Sequence, residues 1–317
     1  MNVCKKILKE IEKKKALSAI LLMLFVMLFF DTRFYTTYNL LDMFNSAAIL
    51  EIMAFGVTLV IICGGCDFSI GATMSLAGII TIKLMDFMPI WCAIIVAILC
   101  GAAVGVVNGF LVVQQKTEPF IITLGMGMLL KGVAQQITDA HPVPAKNLSF
   151  MKIANSKVFG IPSLILIMLA MLLIFYGILR FTQFGRNCYA IGGDYNVAEQ
   201  SGIRARNIKW ATFVICGAMA AFCGVLLSSK LNTGSSIYGD STALSVNCGC
   251  VVGGTSFAGG IGGIWQSFIG LLTIQLLENC MNMLGINAYV QQVSEGIIIL
   301  LILWFDNYAQ KKKMEAV

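Results

Sequence analysis

The sequence predicts an all-α integral membrane protein with about ten transmembrane helices, some of them short or broken. Of its 317 residues, 58% are hydrophobic and only 12% are charged, and the mean hydropathy is +0.85. A soluble domain carries about 25% charged residues, so water-facing side chains could not cover this much apolar surface. The apolar residues also fall into separate blocks, several of which have the length of about 20 residues that crosses the hydrocarbon core.

The first apolar block, residues 16–30, follows six lysines among the first 15 residues. The block is as short as a signal-peptide core, but the sequence FFDT at residues 29–32 offers no small-residue cleavage site. We therefore expect an uncleaved first span. The lysines place a basic N-terminal segment, residues 1–15, in the cytoplasm by the positive-inside rule.

The remaining apolar blocks continue the pattern to the end of the chain. Further spans are predicted at residues 44–63, 69–85, 91–113, 120–138, 162–181, 208–229, 241–252, 262–283 and 291–305. The block at residues 241–252 is too short to cross alone and is interpreted as half of a broken helix. Threaded from a cytoplasmic start, these spans place both termini inside, with one transmembrane domain at residues 16–306 and a cytoplasmic tail at residues 307–317.

The longest external loop, residues 139–161, contains Pro142 and Pro144 and is predicted to be irregular rather than helical. Its length leaves two interpretations open. The loop either caps the helix bundle or contacts an external partner.

A long insert, residues 182–207, is polar, has a basic bias with three arginines against two acidic residues, and is predicted to be cytoplasmic. Asp194 is a predicted N-cap, because its carboxylate can accept the free amides of a first helical turn. Gly202 is a predicted stop, because glycine adopts the left-handed C-cap conformation without a steric penalty. The insert therefore predicts one short helix on a basic loop, a form suited to receiving force from a soluble partner.

Two pairs of adjacent glycines interrupt apolar runs. They are Gly64 and Gly65, and Gly253 and Gly254. Non-helical backbone at membrane depth is tolerated only where protein or a water-filled cavity covers it, so these breaks are candidates for a pathway wall. Asp67 follows the first break and is interpreted as a cap for the helix that starts near Ser69, with a gating role as the alternative.

One predicted span carries the polar residues Gln275, Glu278 and Asn279. They could offer hydrogen bonds to a polar solute or join neighbouring helices, and the sequence leaves both interpretations open.

Several classes of function are disfavoured. There is no G-x-x-x-x-G-K-[ST] phosphate-binding loop and no serine, cysteine or metal constellation of a membrane hydrolase. His141 is the only histidine, and the eleven cysteines lie mainly in apolar runs, so no metal site is expected. Basic residues do not cluster with aromatics on a soluble face, so we expect no nucleic-acid partner. No catalytic residue is assigned, and active transport would take its energy from an ion gradient or from another chain.

Four stretches in order resemble one known family. They are TLVIICGGCDFSIG (residues 58–71), NGFLVVQQKTEPFIITLG (108–125), FGRNCYAIGGDYNVAEQSGI (184–203) and VVGGTSFAGG (251–260). They are similar to motifs of the permease subunit of bacterial ATP-binding cassette (ABC) importers for monosaccharides, the ribose-type family that also serves xylose, galactose and autoinducer-2. Asn108 opens the second stretch and joins the pathway or gating candidates.

The resemblance implies a multi-pass subunit of the bacterial plasma (inner) membrane that forms the pathway for a ribose-like sugar. Its implied partners are a second permease copy in a homodimer, an extracytoplasmic binding protein and ATP-binding subunits that hold ATP and Mg²⁺. A short cytoplasmic helix of such permeases docks in a groove of the ATPase. In this chain that role falls on Gly192, Gly193, Asp194, Ala198, Glu199, Ser201 and Gly202.

Three positions depart from the family pattern. Cys66 replaces an aliphatic residue, and Asp194 stands where asparagine is common in the family. Glu295 lies near a position where the family usually has lysine. None of them removes a motif. The alternative is an ion-gradient-driven secondary transporter of a small polar solute. The exposed cytoplasmic insert and the sparse intramembrane carboxylates favour the ABC importer.

Overall fold

The computed structural model describes residues 15–294, 296, 297 and 300, which are mostly helical. The helices are α1 (Lys15–Phe30), α2 (Thr37–Ile62), α3 (Ile70–Leu84), α4 (Ile90–Gly109), α5 (Pro119–Thr138), α6 (Leu148–Asn155), α7 (Ser163–Phe181), α8 (Gln183–Gly193), α9 (Tyr195–Gln200), α10 (Ala205–Leu231), α11 (Thr242–Val252) and α12 (Ile264–Met283). A 3₁₀ turn, Thr32–Tyr35, joins α1 to α2, and a π-helical turn, Phe110–Gln114, extends α4. Residues 288–294 are also helical.

Four two-residue strands lie outside the helical bundle. They are β1 (Val143–Pro144), β2 (Lys157–Val158), β3 (Ile161–Pro162) and β4 (Thr233–Gly234). The strand β1 pairs with β4 and β2 pairs with β3, both antiparallel. The β1–β4 pair ties the external loop to the end of α10.

Five of the described helices are long and apolar enough to cross a membrane: α2, α4 with its π turn, α5, α7 and α10. The helices α1, α3 and α11 are apolar but shorter. These features confirm the predicted class of a helical, multi-pass membrane protein. The helix α2 begins at Thr37 rather than at residue 44, because the Thr36 hydroxyl caps it by accepting the amide of Asn39.

The centre of the bundle is formed by α2 and α10, which pack against each other and against most other spans. The most apolar stretch of α2 is 83% buried, whereas that of α5 is only 17% buried. Small residues allow the helices to approach closely, as the sequence pattern predicts. Gly101 of α4 lies against Gly217 and Ala221 of α10, and Gly105 lies against Phe213.

The external loop is not irregular throughout, so that prediction was wrong for residues 148–155, which form α6. Its prolines precede the helix and do not interrupt it. The Asn147 side chain caps α6 by accepting the amide of Ser149 at 3.0 Å. Phe150 and Ala154 are buried, and the Ser229 hydroxyl donates to the carbonyl of Phe150 and accepts the amide of Ala154.

The polar insert at residues 182–207 contains two helices rather than one. The short helix predicted after Asp194 is present as α9, but the preceding segment is also helical and forms α8. The Thr182 hydroxyl caps α8 by accepting the amide of Gly185 at 3.2 Å. Cys188 and Ile191 bury one face of α8, which offsets the low helix propensity of its glycines.

Some predictions fall outside the described residues. They concern the lysines at positions 5, 6, 9, 13 and 14, Glu295, the end of the last predicted span and the tail at residues 307–317.

Candidate functional site

The short helix α9 is fixed at both ends, as the sequence predicts. The Asp194 Oδ1 atom accepts the amides of Asn196 at 2.9 Å and Val197 at 3.0 Å. Gly202 has a φ of +81°, the left-handed conformation expected of a residue that ends a helix. Ala198 is buried in a small apolar cluster with Ile191 of α8 and Ala205 of α10. One face of α9 is therefore anchored to its neighbours.

The opposite face of α9 is open. Val197 is 57% exposed, and Glu199 and Ser201 are also exposed. The Tyr195 hydroxyl donates to Glu199 Oε1 at 3.2 Å. Partial burial raises the pKa of Tyr195, with the Glu199 carboxylate adding to the effect, so the phenol keeps its proton at neutral pH. The helix α9 thus exposes an apolar side chain, Val197, and on another side a carboxylate, Glu199, that Tyr195 orients.

The end of α8 packs against the last residue of α2 and against the loop before α12. Gly192 lies directly against the carbonyl oxygen of Ile62 and the amide nitrogen of Gly260, so a side chain at this position would collide with backbone atoms. The Gly260 amide also donates to the Ile62 carbonyl at 2.9 Å. Gly193, in contrast, faces open space. The end of the insert, the end of α2 and the loop before α12 thus form one contact layer.

Two side chains strengthen this layer. The Lys209 ammonium donates to the carbonyl of Gly64 at 3.0 Å, and the Tyr189 hydroxyl donates to the carbonyl of Gly262 at 2.8 Å. Gly64 and Gly254 have φ values of +69° and +106°, which explains why glycine is needed in these turns.

The other glycine of each break, Gly65 in the first and Gly253 in the second, is packed against neighbouring atoms. Gly65 lies against Val60 and Phe213, and Gly253 lies against the carbonyl oxygen of Gln266 in α12. Each break therefore rests on a neighbouring helix.

A buried polar cluster follows the first break. The Asp67 Oδ1 atom accepts the amide of Ser69 at 2.8 Å and its hydroxyl at 2.6 Å. The Asn108 side chain of α4 donates to the Ser69 hydroxyl at 2.8 Å, and that of Asn247 in α11 donates to the Asp67 carbonyl at 3.0 Å. Asp67 therefore holds the backbone immediately before α3, but no side chain accepts an amide of the first turn of α3, so Asp67 is not the predicted cap of that turn. The cluster joins α3, α4 and α11.

This cluster is incompletely satisfied. Asp67 Oδ2, Asn108 Oδ1 and Asn247 Oδ1 are buried and have no hydrogen-bond partner among the residues that the structure describes. Such atoms cost about 1–3 kcal/mol each. Asn247 was not selected from the sequence, where its only signal is one amide side chain within the apolar run of α11.

The polar residues of α12 lie elsewhere. The Asn279 side chain exchanges hydrogen bonds of 3.1 and 3.2 Å with Asn39 of α2, and the Gln275 amide donates to Glu278 at 3.0 Å. For Asn279 this arrangement supports the interpretation as an interhelical hydrogen bond.

Comparison with known proteins identifies the family of this chain. A family described as "branched-chain amino acid transport system / permease component" matches residues 39–303. The chain belongs to this permease family. It is 32% identical to the ribose import permease protein of Haemophilus influenzae over 307 residues, which cover 95% of each chain.

Two further relatives are similarly close. The D-allose transport system permease protein of Escherichia coli is 33% identical over 280 residues, covering 88% of this chain and 86% of the relative. The L-arabinose transport system permease protein of the same organism is 32% identical over 299 residues, covering 92% and 91%. These matches confirm the resemblance to ribose-type permeases. No solved structure matches the chain.

A further polar contact of the permease joins α5 to a distant segment. The Lys131 Nζ atom of α5 lies 2.7 Å from Asp240 Oδ1, in the segment between β4 and α11. The sequence shows Lys131 as an ionisable residue within a span, but nothing in it selects Asp240. Within the described residues, no group of three or more His, Cys, Asp or Glu side chains could hold a metal ion.

Proposed function

We propose that the chain is the transmembrane permease subunit of an ABC importer and forms the pathway for a monosaccharide, ribose or a similar sugar, delivered by an extracytoplasmic binding protein. The similarity over 95% of both chains to a ribose import permease carries this proposal. The relatives named for allose and arabinose also act on monosaccharides. Because this chain has no phosphate-binding loop, ATP and Mg²⁺ are held by a partner subunit.

The helix α9 is the element that docks on the ATPase subunit. Its Asp194 cap and the buried Ala198 hold it firmly in place, and Val197 and Glu199 are both exposed. The adjoining end of α8 contacts the end of α2 and the loop before α12 through Gly192. A movement of α9 on the ATPase would therefore reach the end of α2 and the loop before α12 through packed backbone.

The pathway or gating residues form two groups that differ in position. Gly64, Gly65, Gly253 and Gly254 form the two turns that border the contact layer. Asp67, Ser69 and Asn108 are buried within the protomer, so we assign them to gating rather than to direct contact with the sugar. The unpaired Oδ2 of Asp67 and Oδ1 of Asn108 make alternative arrangements of the cluster energetically accessible.

The remaining architecture follows the ribose-type pattern. The chain would cross the bacterial plasma membrane about ten times with both termini in the cytoplasm, and residues 16–306 would form one permease domain. Two copies of the chain would assemble with two ATPase subunits, surrounded by the lipid bilayer.

The decisive experiment is transport by purified permease in liposomes. Uptake of radiolabelled ribose should require the ATPase subunit, the binding protein and ATP, and an uncoupler should leave it unchanged. Uptake that persists without the ATPase but collapses with the uncoupler would contradict the proposal and support an ion-gradient-driven transporter. Competition by unlabelled allose and arabinose would then define the range of sugars.

A further inference from the structure

The segment between β4 and α11, residues 235–241, runs alongside α3 without forming a helix. At its start Gly234 packs against Ile79, and near its end Gly239 packs against Gly71. The Gly239 amide donates to the Ser75 hydroxyl at 2.9 Å. Eight residues of helix separate Gly71 from Ile79, so the segment descends about 12 Å along α3.

This descent takes the segment into the membrane. The neighbouring part of α3 packs against the long span α10, where Gly224 lies against the backbone of Met74. Gly224 is about 10 Å inside the external end of α10 at Leu231. Non-helical backbone at this depth is tolerated where protein covers it or where it borders water, but not against lipid chains.

The segment nevertheless has an open side. Ile237 is 60% exposed and Leu244, at the start of α11, is 45% exposed, while Asp240 and Ser241 are exposed as well. Beside them lies α5, the least buried of the five long spans. The side chains of Lys131 and Asp240, which form an ion pair, are 39% and 47% exposed. Contact between this surface and lipid chains would be unfavourable, because placing charged groups in the hydrocarbon core costs free energy.

We propose that this open face, formed by Lys131, Ile237, Asp240, Ser241 and Leu244, lines the water-filled solute passage, and that Lys131 and Asp240 hydrogen-bond the hydroxyl groups of the passing solute. The proposal deepens the function proposed above and rests on it for the identity of the solute. An ammonium offers three donors and a carboxylate offers acceptors, which together match the hydroxyl groups of a polyhydroxy solute. The second permease copy would close the other side of the passage.

The ion pair is poorly placed for a purely structural role. Both partners are partly exposed, and exposed ion pairs contribute about 0–1 kcal/mol to stability. The pair also joins α5 to an irregular segment rather than to a second packed helix, so it stabilises no helix–helix contact. A binding role explains why two opposite charges are kept at this depth.

The first test asks whether water reaches the open face. Ile237→Cys is compared with Leu173→Cys, a position in the middle of α7 that is 65% exposed. Both variants are treated in membranes with a charged, membrane-impermeant methanethiosulfonate, and each site is followed by peptide mass spectrometry, so the native cysteines do not interfere. The reagent should modify residue 237 at least tenfold faster than residue 173. Equal, slow modification of the two positions would mean that lipid or dry protein covers the face, and would overturn the proposal.

The second test addresses the ion pair. Lys131→Gln and Asp240→Asn should each lower sugar uptake at least tenfold, while the melting temperature of the purified permease stays unchanged. The swapped variant, Lys131→Asp with Asp240→Lys, should not recover, because the passage presents different groups at each point. Wild-type uptake in either single variant, or full recovery in the swapped variant, would overturn the proposal. The labelling result needs neither ATPase nor sugar, so it stands apart from a failure of the importer assignment.

Discussion

The amide of Gly260 donates a hydrogen bond of 2.9 Å to the carbonyl oxygen of Ile62. Ile62 is the last residue of α2, and Gly260 lies in the loop that leads into α12. The bond therefore connects two segments that are almost 200 residues apart in sequence. Gly192 of the insert packs on both residues of this bond, so this one contact places the insert against the end of α2 and the loop before α12.

Gly192→Ala should uncouple the insert from the breaks. A methyl group at this position would collide with the carbonyl oxygen of Ile62 and the amide nitrogen of Gly260, which are backbone atoms and cannot rotate away. Overpacking of this kind costs about 1–3 kcal/mol. We expect ATP-driven sugar uptake in liposomes to fall at least tenfold.

The matched control is Gly193→Ala. Gly193 has open space around its Cα atom, and alanine favours the helical conformation that it adopts. Uptake by this variant should stay within about twofold of the wild type. If the two alanine variants transport equally well, the contact between Gly192 and Ile62 has no part in coupling.

Asp194→Ala should weaken α9. The substitution removes the acceptor of two amide hydrogen bonds, and the loss of such a cap costs about 1 kcal/mol. We expect uptake to fall several-fold. We also expect the backbone amides of residues 194–202 to exchange faster with solvent. Asp194→Asn should retain the cap and the uptake, since asparagine is an equally good N-cap. Faster exchange in the asparagine variant than in the alanine variant would contradict this role for Asp194.

The helical spans could be predicted from the sequence because long apolar blocks define them. The observed α7, for example, is residues 163–181 and the predicted span was 162–181. The helices α6 and α8 were missed for a different reason. They are short, and they are stabilised by buried contacts such as that of Phe150 with Ser229, which the local sequence does not reveal.

The candidate site was only partly visible in the sequence. The cap at Asp194 and the stop at Gly202 are local features, and both were predicted. The contact between Ile62 and Gly260 and the pair of Lys131 with Asp240 depend on the packing of distant segments. A single sequence gives no sign of such pairs, since neither partner has an unusual neighbourhood along the chain.

Asp67→Ala should destabilise the turn before α3. The variant loses both hydrogen bonds that Asp67 Oδ1 accepts from Ser69, and it leaves a buried amide without an acceptor. We expect a loss of about 1–3 kcal/mol in unfolding free energy, measured as a lower melting temperature in detergent. Asp67→Asn keeps the accepting oxygen and should lie closer to the wild type. An asparagine variant that is less stable than the alanine variant would argue against this role for the Oδ1 atom.

Val197→Asp should prevent docking of the ATPase subunit. Val197 is the exposed apolar residue on α9, and a charge buried at a protein interface without a partner is strongly unfavourable. We expect the affinity for the purified ATPase to fall at least tenfold, measured by co-purification and titration in detergent, while the melting temperature of the permease is unchanged. Asn196→Asp is the matched control, because it adds the same charge at the adjacent exposed position, near the helix N-terminus where a negative charge is favourable. Unaltered ATPase binding by the Val197→Asp variant would place the docking surface elsewhere on the cytoplasmic face.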